Sequence, residues 1–202
     1  MLAKGHIIAN SCSTLWIASG ILATYNHFCV ESVSHPVSNT IRSCINFVYM
    51  NREMPKTIYI PIAFFLFFIG TLFPDCDARD SAIGRIIYIP VQHRTWTHAI
   101  WIPVIGIIAS FFLPILFWFN LGYVLHILWD NLSMGGVCFL YPITKYEDTK
   151  APHIKKHHFF KIYRSGAISE TILLMAIIAF TLSLLFIFYK TGLYNNLSLY
   201  RY

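Results

Sequence analysis

The sequence predicts an all-α membrane protein, a polytopic bundle of about five membrane-embedded helices, on three observations. Of its 202 residues 56% are hydrophobic and only 12% charged, and the mean hydropathy of +0.58 exceeds what a soluble domain needs for its core. Apolar runs recur at about 7–25, 57–73, 99–128 and 167–189, near or above the roughly 20 residues that carry a helix across about 30 Å of hydrocarbon. The third run is too long for one crossing, and Pro114 stands near its middle in FFLPILFWF. A missing amide and a ring clash break a helix there. The run therefore reads as two short helices, the third and fourth, joined by a tight turn near Pro114, which makes five passes.

The opening MLAKGHIIANSCSTLWIASGILATY has a lysine, an apolar stretch and small residues, the layout of a cleavable leader. Its polar insert NSCST interrupts the apolar stretch, so the segment is expected to be retained as the first helix. Next, PVSNTIRSCINFVYMNREMPK mixes apolar and polar residues and is expected to lie along the interface as a short amphipathic helix without chemistry. The second helix should end at Pro74 in GTLFPDCDARDSAIGR, leaving Asp75 and Asp77 on a loop. The third helix starts after HRTWTH. The fourth ends in GYVLHILWDNLSMGGV, where the glycines at 135–136 release the chain, and the fifth starts near SGAISET. No repeat, low-complexity tract or linker divides the chain, so residues 1–202 are expected to form one membrane-embedded domain.

Five passes put residues 1–6, 74–97 and 130–166 on one side. That side holds ten of the 15 lysines and arginines, which the positive-inside rule makes cytoplasmic in a bacterial-type inner membrane. The 5 cysteines are scattered without a CxxC pair and fit neither a disulfide framework nor a thiolate zinc site. The stretch APHIKKHHFFKIYR reads as a basic belt on anionic headgroups rather than a metal site of His153, His157 and His158, each cation contributing about 1 kcal/mol. Its cations are too few, and too close to a span, for nucleic acid to be the expected partner. The lipid bilayer is.

Metal-capable residues fall at that same end. His6 opens the first helix, Asp75 and Asp77 follow the second, and His93 and His98 precede the third. The spacing of that last pair lets them converge only if His93 lies on the loop and His98 in the first turn. His126 and Asp130 share one face of the fourth helix, a turn apart, as in paired histidines on zinc helices. Glu170 sits in the first turn of the fifth. Ionisable residues inside an otherwise apolar helix are costly enough that His126 takes a functional reading. Imidazole and carboxylate donors without thiolates suit a divalent metal, zinc first, with manganese, iron or magnesium also served. Eight candidates exceed one tetrahedral shell, so some either orient ligands or hold another ion.

In order, the elements MLAKGH, FPDCDARDSAIGR, HRTWTHA, LGYVLHILWDNLSMGGVCFLYP and GAISE resemble the YdjM-like inner-membrane proteins, a family of membrane-bound metal-dependent hydrolases. The resemblance implies that His6, Asp75, Asp77, His93, His98, His126 and Asp130 are the family's polar positions. It departs at Ala78, where the family has histidine, and at Thr95 and Ala99 in the family's HRGxTHS. The implied activity is hydrolysis of a phosphoester or lipid-like, amphipathic substrate by a metal-activated water. Asp77, His93, His126 and Asp130 are the expected inner ligands, with His6 and His98 next. Asp75 or Glu170 is the expected general base, and Arg94 the group that holds a phosphate or developing negative charge. A metal-stabilised scaffold without catalysis is the alternative. Ion transport fits less well, because the polar groups cluster at one end.

Overall fold

A computed structural model describes residues 2–31, 55–143, 145–148, 151–154 and 161–191; for 25–31, Lys56 and the two strands it describes the backbone alone. The interfacial helix expected after the first span, the side chains of His153, His157 and His158, and the C-terminal tail lie outside the described residues.

Among the described residues there are five α-helices. Helix α1 runs Ala3–Glu31, and α2 runs Lys56–Leu72 and tightens into a 3-10 turn at Phe73–Asp77. A second 3-10 turn, Trp96–His98, precedes α3 at Trp101–Phe112; α4 follows at Leu116–Asn131 and α5 at Ile168–Lys190. Between α4 and α5 the described chain also holds a short antiparallel hairpin, β1 (Lys145–Asp148) with β2 (Ala151–Ile154).

Three stretches, Ala3–Thr24, Thr57–Asp77 and Ile168–Lys190, are long and apolar enough to cross a bilayer. The break at Pro114 leaves α3 only 12 residues and α4 only 16. At 1.5 Å per residue those arms reach about 18 Å and 24 Å, short of a hydrocarbon core of about 30 Å. The pair is a helical hairpin that starts and finishes at one end of the bundle, so the side assigned to every later residue is the same as for two full crossings. Within its turn the amides of Leu113 and Leu116 reach the carbonyls of Ala109 and Leu113, as backbone surrounded by lipid requires.

Among the described residues many large apolar side chains face outward and many polar ones are buried. Phe64 and Phe65 on α2, Ile105, Phe111 and Phe112 on α3, and Ile172, Met175 and Phe186 on α5 are all exposed. Asn10, Thr71, Asn120, His126 and Asp130 are buried. Lipid tails solvate the first set at no cost, while the second set must find partners inside. Asn10 does so across helices, donating to Thr71 Oγ1 at 3.2 Å and to the Gly122 carbonyl at 3.0 Å. Helix α5 docks on α1, with Trp16 Nε1 donating to Thr181 Oγ1 at 2.8 Å above a cluster of Ala9, Cys12, Tyr163 and Ile177.

One contact positions the functional end. A Cβ at Gly122 would meet the Phe67 carbonyl oxygen at 2.4 Å and the Thr71 amide nitrogen at 2.8 Å, and one at Gly70 would meet the Phe119 carbonyl oxygen at 2.0 Å. Only glycine lets α2 and α4 approach so closely. That approach carries the last turn of α4 against the end of α2, where the polar residues gather.

A candidate metal centre at one end of the bundle

Helix ends deliver the side chains. The 3-10 turn that closes α2 presents Asp75 and buries Asp77, and α4 presents His126 and Asp130 one turn apart. The loop from 78 to 95 brings His93 back beside Asp77, and the Trp96–His98 turn brings in His98. Single ligand atoms of Asp75, His98, His126 and Asp130 all lie within 4.8 Å of one another. His126 Nε2 is 3.5 Å from Asp75 Oδ1 and 3.8 Å from Asp130 Oδ2; His98 Nε2 is 3.9 Å and 3.4 Å from the same two atoms.

The hydrogen bonds behind these rings fix which nitrogen faces inward. His126 Nδ1 lies 2.7 Å from the Thr71 carbonyl oxygen. A carbonyl only accepts, so Nδ1 carries a proton, and it is Nε2 that offers the lone pair whenever the ring is neutral. For His98 the fixing runs through a hydroxyl. Thr97 Oγ1 donates its one proton to Asp77 Oδ2 at 2.5 Å, so it must accept from His98 Nδ1 at 2.9 Å. His98 Nε2 is thereby also a lone pair. Burial holds His98 below the ordinary imidazole value of 6.5, which keeps the ring neutral. Both Nε2 atoms are buried and have no hydrogen-bond partner among the described residues.

Two imidazole nitrogens and two carboxylates therefore face one another in a buried cluster, a set that could hold a metal ion. Nitrogen and oxygen donors in equal number, with no thiolate, fit zinc and also manganese or iron. The arrangement of each histidine, with its outer nitrogen bonded to a carbonyl or hydroxyl, is that of a metal ligand held by its surroundings.

The remaining residues brace the four. His6 stacks flat on His126, ring centroids 3.7 Å apart and planes 13° from parallel, with Nε2 3.2 Å from Asp130 Oδ1. Arg94 turns inward, Nε 3.1 Å from Asp130 Oδ2, and donates from Nη1 to Ser133 Oγ at 3.1 Å and to the Gly136 carbonyl at 3.4 Å. Its backbone is left-handed, φ 64°, a conformation that costs a non-glycine residue on the order of 1 kcal/mol. Asp77 Oδ2 holds it there by accepting the Arg94 amide at 3.0 Å. Gly135 makes room, since a Cβ there would fall 1.9 Å from Arg94 Nη1.

Asp77 also accepts from His93 Nδ1 at 2.6 Å, and single ligand atoms of Asp75, Asp77 and His93 again lie within 4.8 Å of one another. His93 and His98 come together as their spacing requires, His93 on the loop and His98 in the turn, rings 5.5 Å apart. The sequence places Asp77, His93, His126 and Asp130 innermost. The structure instead gathers Asp75, His98, His126 and Asp130 about one point, and sets Asp77 and His93 in an adjoining group with Asp75. Glu170 lies outside both groups. Its carboxylate accepts the Leu2 amide at 2.9 Å and the Gly166 amide at 2.6 Å, tying the start of α1 to the start of α5. Trp96 is exposed and packs edge-on against Tyr141, as an interfacial anchor does.

Thr97 and the Thr71 carbonyl escaped the sequence, although the threonine within HRTWTH was in plain view. Replacing Thr97 by valine keeps shape and burial but removes the hydroxyl that fixes His98 and holds Asp77. Thr97→Val is expected to weaken metal binding by about 10–100-fold without removing a ligand, measured by competition with a chromophoric chelator; unchanged affinity would refute the fixed orientation of His98.

No curated protein and no solved structure matches the chain. A family model described as YdjM inner membrane protein matches residues 43–194, a span that contains every member of both groups and leaves out His6. With more than half of its 202 residues matched, and the matched part supplying the end of α2, the loop to α3 and the end of α4, the chain belongs to the YdjM inner membrane protein family.

Proposed function

We propose that the chain is a membrane-bound metal-dependent hydrolase acting on a phosphoester or lipid-like substrate at the end of the bundle that its lysines and arginines make cytoplasmic. The observation that carries this reading is the convergence of the His98 and His126 lone pairs on the carboxylates of Asp75 and Asp130. His98, His126, Asp130 and Asp75 hold the ion. A divalent ion bound there supplies Lewis acidity and a water of lowered pKa.

The chain's own residues do the rest. Arg94 and His6 orient the Asp130 carboxylate from two sides and balance its charge. Thr97 and the Thr71 carbonyl hold the two imidazoles in their ligand tautomers. Tyr123, Ile127 and Val137, with Phe139 against them, form an apolar cluster that meets the site where the Tyr123 hydroxyl donates to the Thr97 carbonyl. Asp75 is the least buried of the four and marks where a substrate group and water come in. The loop joining Asp77 to His93 carries exposed Ile86, Ile87 and Tyr88, suited to an amphipathic substrate taken from the bilayer. Glu170, engaged by two backbone amides, serves as a clamp between helices rather than as the proton acceptor.

Turnover of a generic phosphoester or a phospholipid by detergent-purified protein is expected to vanish on chelation and return when zinc or manganese is restored. Activity that persists in metal-free protein would overturn the assignment. A second reading has one observation in its favour: four protein ligands, three of them at 0–1% side-chain exposure, resemble a closed structural zinc site. In that case chelation lowers thermal stability and no substrate is turned over.

A further inference from the structure

The adjoining group of Asp75, Asp77 and His93 is not explained by bracing alone. Asp77 Oδ2 suffices for that, since it takes the Arg94 amide and the Thr97 hydroxyl. Its Oδ1 faces His93, and Asp75 belongs to both groups. The His93 side chain is 43% exposed while those of His98 and His126 are 0% exposed, so the shared carboxylate joins a buried position to a solvent-facing one.

We propose that Asp75, Asp77 and His93 hold a second divalent cation beside the Asp75, His98, His126 and Asp130 position, with Asp75 bridging the two. This rests on the metal reading above and adds a solvent-facing position to it. Three protein ligands leave a coordination place open to water and substrate. Two cations on one bridging carboxylate lie about 3.5–4 Å apart in phosphoester hydrolases, where they stabilise the attacking and leaving oxygens together. Charge balance agrees. Three carboxylates, Asp75, Asp77 and Asp130, belong to the two groups that Asp75 joins, and the Arg94 guanidinium pairs with Asp130. When the outer cation binds, the His93 proton moves from Nδ1 to the other ring nitrogen, Nε2, through solvent exchange, and Nδ1 and Asp77 Oδ1 are both free to act as ligand atoms. Asp77 keeps its grip on the loop through Oδ2.

The test is metal stoichiometry of the full chain purified in detergent, stripped with a chelator, reloaded with zinc or manganese, and freed of loose metal by gel filtration. The wild type is expected to hold two ions per chain and His93→Ala one, because His93 is half-exposed and its removal spares the inner four. Manganese-loaded wild type is expected to show an exchange-coupled paramagnetic resonance spectrum, and His93→Ala the pattern of an isolated ion. The isolated pattern in His93→Ala, with unchanged thermal stability, shows that the variant is folded. A wild type that holds one ion, kept in full by His93→Ala, would overturn the second position and leave the hydrolase reading standing. A wild type that holds none would overturn both.

Discussion

Replacing His126 by alanine is expected to reduce metal affinity by at least about 100-fold, beyond the effect of losing an orienting partner. His126 is the ligand whose geometry is most fully determined. Its ring is fixed at one nitrogen by the Thr71 carbonyl, stacked on one face by His6, and held close to α2 by the Gly122 crossing. Truncation removes the only imidazole on α4, opens a cavity against His6, and leaves the Thr71 carbonyl without its donor. His126→Asn separates these effects, because the amide can still donate to Thr71 while offering a poor ligand. Isothermal titration with zinc is expected to lose the tight phase in both variants, and the thermal stability of metal-free protein to fall only in His126→Ala. Tight binding in either variant would mean that the metal lies elsewhere.

The second large effect belongs to Asp130. Its carboxylate meets Arg94 Nε at 3.1 Å and His6 Nε2 at 3.2 Å, with about 1% of the side chain exposed. Removing one partner of a buried ion pair leaves the other charge uncompensated, at a cost of about 3–5 kcal/mol. Arg94 is 12% exposed and has Ser133 and Gly136 as further partners, which places the expected loss for Asp130→Ala at the lower end, about 3 kcal/mol. The same change removes a metal ligand. Thermal melting of metal-free protein reads the first effect and metal titration the second. A variant that melts like wild type but binds no metal would show that the Arg94 pair contributes little to the fold.

Much of this was legible in the sequence, for identifiable reasons. Hydrophobic runs and Pro114 announce five helices because bilayer thickness and the missing proline amide act locally. The grouping of His6, Asp75, Asp77, His93, His98, His126 and Asp130 at one end follows from counting passes, and it survives the shortness of α3 and α4 because a hairpin returns to the side it left. The i,i+4 spacing of His126 and Asp130 puts both on one point, 3.8 Å apart. Which residues stand innermost was not legible. It depends on the close crossing at Gly70 and Gly122, on a backbone carbonyl at Thr71, and on a hydroxyl proton that Thr97 gives to Asp77. None of these has a periodic or compositional signature. The inward turn of Arg94 escaped for a similar reason, since its left-handed backbone is held by Asp77, 17 positions away, and its guanidinium by Gly136, 42 positions away.

The most direct test of the whole account is the metal content of detergent-purified full chain, measured by elemental analysis against protein concentration. The account predicts stoichiometric divalent metal in the wild type and the loss of at least one ion per chain in His98→Ala and in His126→Ala. A metal content that neither substitution lowers, or a wild type that takes up none after reloading, would contradict it.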